Sequence, residues 1–230
     1  MLIKGLAKLT LLDYPEHVAC TVFTGGCNLR CPFCHNAPLV LSAREQPQID
    51  PQQLLDFLKK RRGVLDGVCI TGGEPLLQPD IAQLMAQIRD LGFAVKLDTN
   101  GTFPDRLEAL LQQGLLDYVA MDIKNALPRY AETVGIPQFD TAPIERSVAL
   151  LQQSGIPYEF RTTVVQQLHT DEDLLQIGRW LQGSPRYFLQ NFVASGNTIA
   201  DGLSPRDPQA LRDIAAQLQP YFETVGLRGI

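Results

Sequence analysis

Six short apolar runs recur along this chain, each separated from the next by a longer stretch of helical periodicity. That alternation limits the fold more than any other feature. The runs are VACTVFT (18–24), GVCIT (67–71), FAVKLDT (93–99), YVAMDI (118–123), YEFRTTV (158–164) and RYFLQNF (186–192). Each is apolar or β-branched and bounded by Gly, Pro or polar residues, the pattern of strands buried on both faces. Between them, Asp50-Pro51, Pro79-Asp80, Pro104-Asp105 and Pro143 stand where helix caps or first-turn prolines belong. Thr170 and Asp173 have the spacing of a capping box, with Asp in place of the usual Glu. Leu54, Leu55 and Leu58 recur at helical spacing, as do Ile81, Leu84, Met85 and Ile88, and these stripes are expected to face a core. Repeated strand–helix–strand units imply an α/β fold with a parallel sheet and right-handed crossovers, either open and doubly wound or curved into an incomplete barrel. A complete eight-unit barrel takes about 250 residues, so six units in 230 residues point to a partial one, expected as one domain over 1–230.

In either arrangement ligands gather at the carboxyl ends of the strands, and the reactive residues fall there. Cys27, Cys31 and Cys34 follow the first run. TGGEP (71–75), LDTNG (97–101) and MDIK (121–124) close the next three, and FRTT (160–163) lies in the fifth. Five polar clusters far apart in sequence are therefore expected on one rim.

Three cysteines within eight positions suit few structural tasks. A disulfide uses two thiols and a structural zinc ion four ligands. His35 is the nearest fourth ligand for zinc, but adjacent Cys34 and His35 would strain to reach one tetrahedral ion. A redox pair would use Cys31 and Cys34 and leave Cys27 idle. Three thiolates on a four-iron cluster leave one iron open to a substrate or cofactor, and Gly25, Gly26 and Pro32 suit an irregular loop around such a bulky group. Cys20 and Cys69, inside apolar runs, read as small hydrophobes. His17 and His169 read as surface histidines, and Trp180 as packing a helix on the sheet.

The formal net charge of −5 gives no footprint of a nucleic-acid partner, and the one dense basic run, Lys59 to Arg62, closes a helix whose dipole it complements. No apolar run approaches the roughly 20 residues of a membrane span, and the N-terminal MLIKGLAKLTLLDYPEH lacks the core of a secretory signal. Five cysteines, three of them clustered, fit a reducing, cytoplasmic setting.

The CxxxCxxC spacing with an aromatic, Phe33, before the last cysteine resembles the radical S-adenosylmethionine (SAM) enzymes. The stretch DYPEHVACTVFTGGCNLRCPFCHN (13–36) looks like the glycyl-radical-enzyme activases, most of all those serving anaerobic ribonucleoside-triphosphate reductases. The resemblance is specific over about the first 125 residues. It implies a partial (β/α)6 TIM-like barrel with the cluster loop after its first strand. It also implies a [4Fe–4S] cluster on Cys27, Cys31 and Cys34, whose open iron takes the amino and carboxylate groups of SAM. One-electron cleavage would yield methionine and a 5′-deoxyadenosyl radical that removes a hydrogen atom from a glycine of a partner enzyme. By the same resemblance Phe33, Gly72, Gly73 and Glu74 belong to the cofactor site, with Glu74 accepting from the methionyl ammonium. Asp98, Lys124 and Arg161 would help to bind the cofactor, and Asp98, Thr99 and Asp122 would hold a monovalent cation near its carboxylate. For Arg161 a structural ion pair with Glu74 or Asp122 is the alternative. A bound cation or Lys124 would relieve the repulsion between the two aspartates. Some activases carry a histidine near the sixth strand; here Gln190, Asn191 and Asn197 stand in that region.

The leading expectation is therefore an oxidoreductase that activates a glycyl-radical enzyme, the anaerobic ribonucleotide reductase, with reduced flavodoxin or ferredoxin as electron donor and neither nucleic acid nor membrane as partner. With no obvious added domain to enclose a small substrate, an open active-site mouth is expected. A radical SAM enzyme acting on a small molecule is the alternative. A cluster- or zinc-bearing carrier is the third reading, and Glu74, Asp98 and Lys124 at the rim argue against it.

Overall fold

The computed structural model describes every residue of the chain except Ser195 and Asn197. Its frame is one sheet in which spatial order follows chain order: β1 (Ile3–Thr10), β2 (Ala19–Thr24), β3 (Gly67–Gly72), β4 (Ala94–Thr99), β5 (Tyr118–Asp122), β6 (Tyr158–Val164), β7 (Arg186–Asn191) and β8 (Thr224–Arg228). β1 is antiparallel to β2, and every later pairing is parallel. Helices α1 (Ala37–Leu41) and α2 (Pro51–Arg61) link β2 to β3, α3 (Ile81–Asp90) links β3 to β4, and α4 (Pro104–Gln112) links β4 to β5. Helices α5 (Tyr130–Val134) and α6 (Ala142–Gln153) lead to β6, α7 (Asp171–Trp180) to β7, and α8 (Pro208–Leu218) to β8. Each strand lies beside its predecessor and the two ends of the sheet do not meet, so the architecture is a partial α/β barrel.

The six predicted strands are β2 to β7, with ends shifted by a residue or so. Two strands were not foreseen, and the parallel set counts seven rather than six. Both newcomers are edges. β1, IKGLAKLT, carries two lysines and a glycine, is mostly half-exposed, and slips register after Ile3 and after Ala7. β8, TVGLR, is short and half-exposed with glycine at its centre. An edge strand borrows its partner's ladder and needs no continuous apolar run, so the pattern that finds central strands passes over it.

The helix starts follow from their sequences. Asp50 accepts from Gln52 N–H at 2.8 Å and completes a capping box with Gln53, and Thr170 and Asp173 form the second box. Asp80 precedes α3 without a side-chain cap. The leucine stripe of α2 and the Leu84–Met85–Ile88 stripe of α3 are buried against Val22, Ile70, Leu97, Val119 and Phe160 in the main core. Each such fully buried side chain contributes about 1.5–3 kcal/mol.

Side chains alternate along a strand. On β4, Val95 and Leu97 join that core while Lys96 and Asp98 face the other side of the sheet, where a small cluster of Tyr14, Ala19, Tyr118 and Ala120 sits. The concave face of the sheet is therefore largely polar, and its upper rim carries the chemistry. No helix of the described residues is long and apolar enough to cross a membrane.

Candidate active site

The loop after β2 winds from Gly25 to Asn36 without a regular element and is tied down along its length. Gly26 N–H donates to Leu39 carbonyl at 2.8 Å, Arg30 N–H to Val134 carbonyl at 2.9 Å, and Pro32 carbonyl accepts from Ala200 N–H at 2.9 Å. Leu29, Cys31 and Phe33 are buried, and Cys27 and Cys34 are half-buried. Cys27 Sγ accepts from Leu29 N–H at 3.4 Å and lies 3.8 Å from Asn100 Nδ2. Burial pushes the Cys27 thiol up and the Cys31 thiol up to about 12. Thiols in such surroundings keep their protons until a metal displaces them.

One cavity collects the predicted clusters. It is lined by all three cysteines, Phe33, Gly72, Gly73, Asp98, Thr99, Asp122, Lys124, Arg161 and Gln190. Among the described residues no three Cys, His, Asp or Glu side chains converge as one metal ion would require. A cluster holds its thiolates at separate corners and is compatible with that spacing.

The wall from β3 depends on glycine. Gly72 has φ +116°, and a Cβ there would stand 2.4 Å from Thr24 N and O. A Cβ on Gly73 would stand 2.0 Å from Gly26 O. β3 thus passes directly against the cysteine loop, and Glu74 N–H seals the contact with a 2.8 Å bond to Gly26 carbonyl.

Glu74 departs from expectation. Its carboxylate is fully buried and spent within the chain, accepting from Leu76 N–H at 3.0 Å, Thr99 hydroxyl at 2.8 Å and Asn100 N–H at 2.7 Å. Burial pushes it up to about 7 against the pull of those donors. In this structure Glu74 splices the end of β3 to the end of β4 and does not line the cavity. Asn100, which the motif did not single out, continues the splice to the cysteine loop by donating to Asn28 at 3.0 Å.

The charged residues form a line of alternating sign. Lys96 Nζ donates to Asp98 Oδ1, and Arg161 donates to Asp98 Oδ2 at 3.1 Å and to Asp122 Oδ1 at 2.9 Å. Lys124 Nζ donates to Asp122 Oδ2 at 2.9 Å. Burial alone would raise both aspartates. Arg161 and Lys96 outweigh it at Asp98 and hold that carboxyl below its usual range, and Arg161 with Lys124 takes Asp122 down to about 2. Lys124 is raised despite its burial, chiefly by Asp122.

The sequence resemblance suggested Arg161 as a cofactor ligand or as half of an ion pair; the ion pair is present, with Asp122 and Asp98 rather than Glu74. The suggested monovalent cation does not fit. Both oxygens of each aspartate already face nitrogen cations, and the Thr99 hydroxyl is directed at Glu74.

His169 is a correction of a different kind. It is buried at 3 % exposure, its Nδ1 accepting from Val165 N–H at 3.1 Å and its Nε2 donating to Lys124 carbonyl at 2.8 Å. Nothing in the preceding VVQQL announces that the turn before α7 folds back onto the segment that follows β5. His17 is half-exposed beside Asp66, and Cys20 and Cys69 are buried in strands as expected. His35 stacks on Phe192 and contacts Val193 carbonyl at 2.7 Å, bridging the cysteine loop to the end of β7. Near β7, Gln190 reaches the cavity, Asn191 bonds the Arg206 backbone, and Asn197 lies outside the described residues.

Residues 21–181 match the family model described as the Radical SAM superfamily. The chain belongs to that superfamily. Over 238 residues it is 32 % identical to a protein of Methanocaldococcus jannaschii named provisionally as a glycyl-radical enzyme activating enzyme, covering 100 % of this chain and 96 % of that one. It is also 32 % identical over 199 residues to 7-carboxy-7-deazaguanine synthase of Methanopyrus kandleri, covering 76 % and 74 % of the two chains. In fold it superposes on the SAM-bound structure of Streptococcus suis SuiB with a TM-score of 0.70 at 16 % identity, covering 88 % of this chain and 48 % of that one.

As a radical SAM enzyme the protein uses a [4Fe–4S] cluster and SAM. The residues present fit both groups. Three thiols on an irregular loop suit a cluster with one open iron. The adjoining cationic line and glycine backbone suit a ligand with a carboxylate, an ammonium and a sulfonium.

Proposed function

We propose that this radical SAM enzyme is a glycyl-radical-enzyme activase whose partner is an anaerobic ribonucleoside-triphosphate reductase. The observation that carries the activase reading is the end-to-end match, at 32 % identity, to a protein named provisionally as a glycyl-radical enzyme activating enzyme. The DYPEHVACTVFTGGCNLRCPFCHN segment supports the choice of reductase.

The bound cluster and SAM supply the chemistry, a reductively generated 5′-deoxyadenosyl radical able to remove hydrogen from a glycine Cα. The chain supplies the setting. Cys27, Cys31 and Cys34 hold the cluster, and Phe33 closes the loop behind them. The backbone of Gly72 and Gly73 forms the wall beside the methionyl group. Lys124 and Arg161 present positive charge to its carboxylate, Asp98 and Asp122 keep those two cations in place, and Gln190 serves the adenosine side.

The test is to load the protein with iron and sulfide anaerobically, reduce it, and add SAM with a purified anaerobic ribonucleotide reductase. A glycyl-radical doublet on the reductase by electron paramagnetic resonance, with matching 5′-deoxyadenosine, is expected. Cys31→Ala should give neither. Reduced flavodoxin and ferredoxin compared as donors would show which one serves. 5′-Deoxyadenosine without any radical on the reductase overturns the reading.

The likeness to 7-carboxy-7-deazaguanine synthase favours a second reading, catalysis on a small heterocyclic molecule. Deuterium passing from such a metabolite into 5′-deoxyadenosine would establish it.

A further inference from the structure

We infer that Lys96 and Arg161 stand in this site where a bound monovalent cation would otherwise be needed, so that SAM binding by this chain is independent of sodium and potassium. Lys96 is the positioning residue that makes it so.

The first ground is ligand availability. A cation held by Asp98, Thr99 and Asp122 would have to share every one of their side-chain oxygens with a partner of the chain itself. Asp98 Oδ1 takes Lys96 and Oδ2 takes Arg161 at 3.1 Å. Asp122 Oδ1 takes Arg161 at 2.9 Å and Oδ2 takes Lys124 at 2.9 Å. The Thr99 hydroxyl donates to Glu74 at 2.8 Å, and its oxygen accepts from Gly101 N–H at 3.2 Å. The guanidinium of Arg161 bridges the two carboxylates, which is the position a metal ion would occupy. Any further cation there would meet three fixed positive charges.

The second ground is Lys96 itself. It is 1 % exposed, in the middle of a strand, and a buried lysine requires a compensating partner. Its ammonium forms an ion pair with one carboxylate among the described residues, Asp98. Its other neighbours are Cys69 Sγ at 3.8 Å and the Tyr118 ring, whose centroid is 5.8 Å away. Lys96 stands two residues before Asp98 on β4, hence on the same face, so the strand itself directs ammonium and carboxylate at each other.

The third ground is charge. Without Lys96, Arg161 and Lys124 would only balance the two aspartates. Over these five side chains Lys96 leaves one positive charge in excess, beside the cavity proposed to take the SAM carboxylate. A mobile cation would supply that same excess. Here it is built into the chain and cannot dissociate.

This inference rests on membership of the radical SAM superfamily and not on the identity of the partner, and its experiment needs no partner. Binding of radiolabelled SAM to the anaerobic, cluster-loaded protein is measured by equilibrium dialysis in sodium, potassium and tetramethylammonium chloride at one ionic strength. The wild-type dissociation constant is expected to agree within about twofold across the three salts. A loss of about tenfold or more in tetramethylammonium overturns the inference.

Lys96→Met is expected to bind about tenfold more weakly in tetramethylammonium and to recover most of that in sodium or potassium. Lys96→Arg should remain indifferent to the salt. No loss in Lys96→Met, or an equal loss in all three salts, overturns the role given to Lys96. Iron content per chain and the cluster absorbance confirm loading of each variant. If Lys96→Met fails to load, the wild-type comparison decides alone, joined by the sodium-23 line width. Broadening of that line on SAM binding overturns the inference, and an unchanged width supports it.

Discussion

Replacing Gly73 by alanine tests how the cysteine loop is held. The added Cβ would stand 2.0 Å from Gly26 O and 2.6 Å from its carbonyl carbon, both of them backbone atoms. Relieving the clash takes roughly 1 Å of separation between β3 and the loop, enough to stretch a hydrogen bond past its useful range. The 2.8 Å bond from Glu74 N–H to Gly26 carbonyl spans that gap, and the 2.9 Å bond from Gly73 N–H to Thr24 carbonyl adjoins it. Losing one or two buried backbone bonds at about 1–3 kcal/mol each, with some relaxation, should destabilise Gly73→Ala by about 2–4 kcal/mol. A 1 Å displacement also exceeds the roughly 0.5 Å tolerance of a preorganised site, so SAM affinity should fall about tenfold even in chains that load their cluster. Urea unfolding of the iron-free protein gives the first quantity and equilibrium dialysis of the loaded protein the second. A variant within about 0.5 kcal/mol of wild type, with unchanged affinity, would refute the claim that this approach needs glycine.

Other perturbations follow from the same contacts. Arg228 is bidentate to the buried carboxylate of Glu159 at 2.9 and 3.1 Å, and Tyr118 hydroxyl also donates to it at 3.0 Å. Arg228→Met leaves that charge short of its cation and should cost about 2–3 kcal/mol in urea unfolding, below the usual range for a buried pair because Arg228 is partly exposed. His169 is held neutral by burial, its pKa lowered from the ordinary value, so the unfolded chain binds the proton more readily. The stability it contributes is present above about pH 6.5 and is lost as pH falls further. His169→Gln should therefore flatten the acid limb of the unfolding profile, and an unchanged limb would remove His169 as its source. Asn100→Ala cuts the bonds to Asn28 and Cys27 and removes the acceptor of Thr102 N–H and hydroxyl, while leaving the Asn100 backbone on Glu74, so the cluster should be lost several-fold faster in air, followed by its absorbance, and the iron-free protein should lose about 1–3 kcal/mol.

How much of this was legible beforehand differed by element. The central strands announced themselves because strands covered on both sides must be apolar along their whole length. β1 and β8 did not, because the sheet's edges are half-exposed and make no such demand. Asp98, Asp122, Lys124 and Arg161 could be expected at the rim, since topology alone puts the ends of parallel strands together. Lys96 stands two residues before Asp98 in FAVKLDT and so shares its face of the strand, but that Lys96 and Arg161 would divide the two Asp98 oxygens between them could not be read from one strand alone. The buried position of His169 left no local trace.

The sequence by itself determined the order of the six central strands, the three-thiol loop, and the rim on which the strand-end clusters gather. These follow from periodicity, caps and chain order, which are local or one-dimensional properties. Only the tertiary structure decided who neutralises whom. Glu74 turns inward to three donors of its own chain, Arg161 spans two aspartates from different strands, and Lys96 fills the remaining oxygen of Asp98. A side-chain charge is satisfied by whatever lies within a few ångströms of it, and that distance exists only once neighbouring strands are set in register.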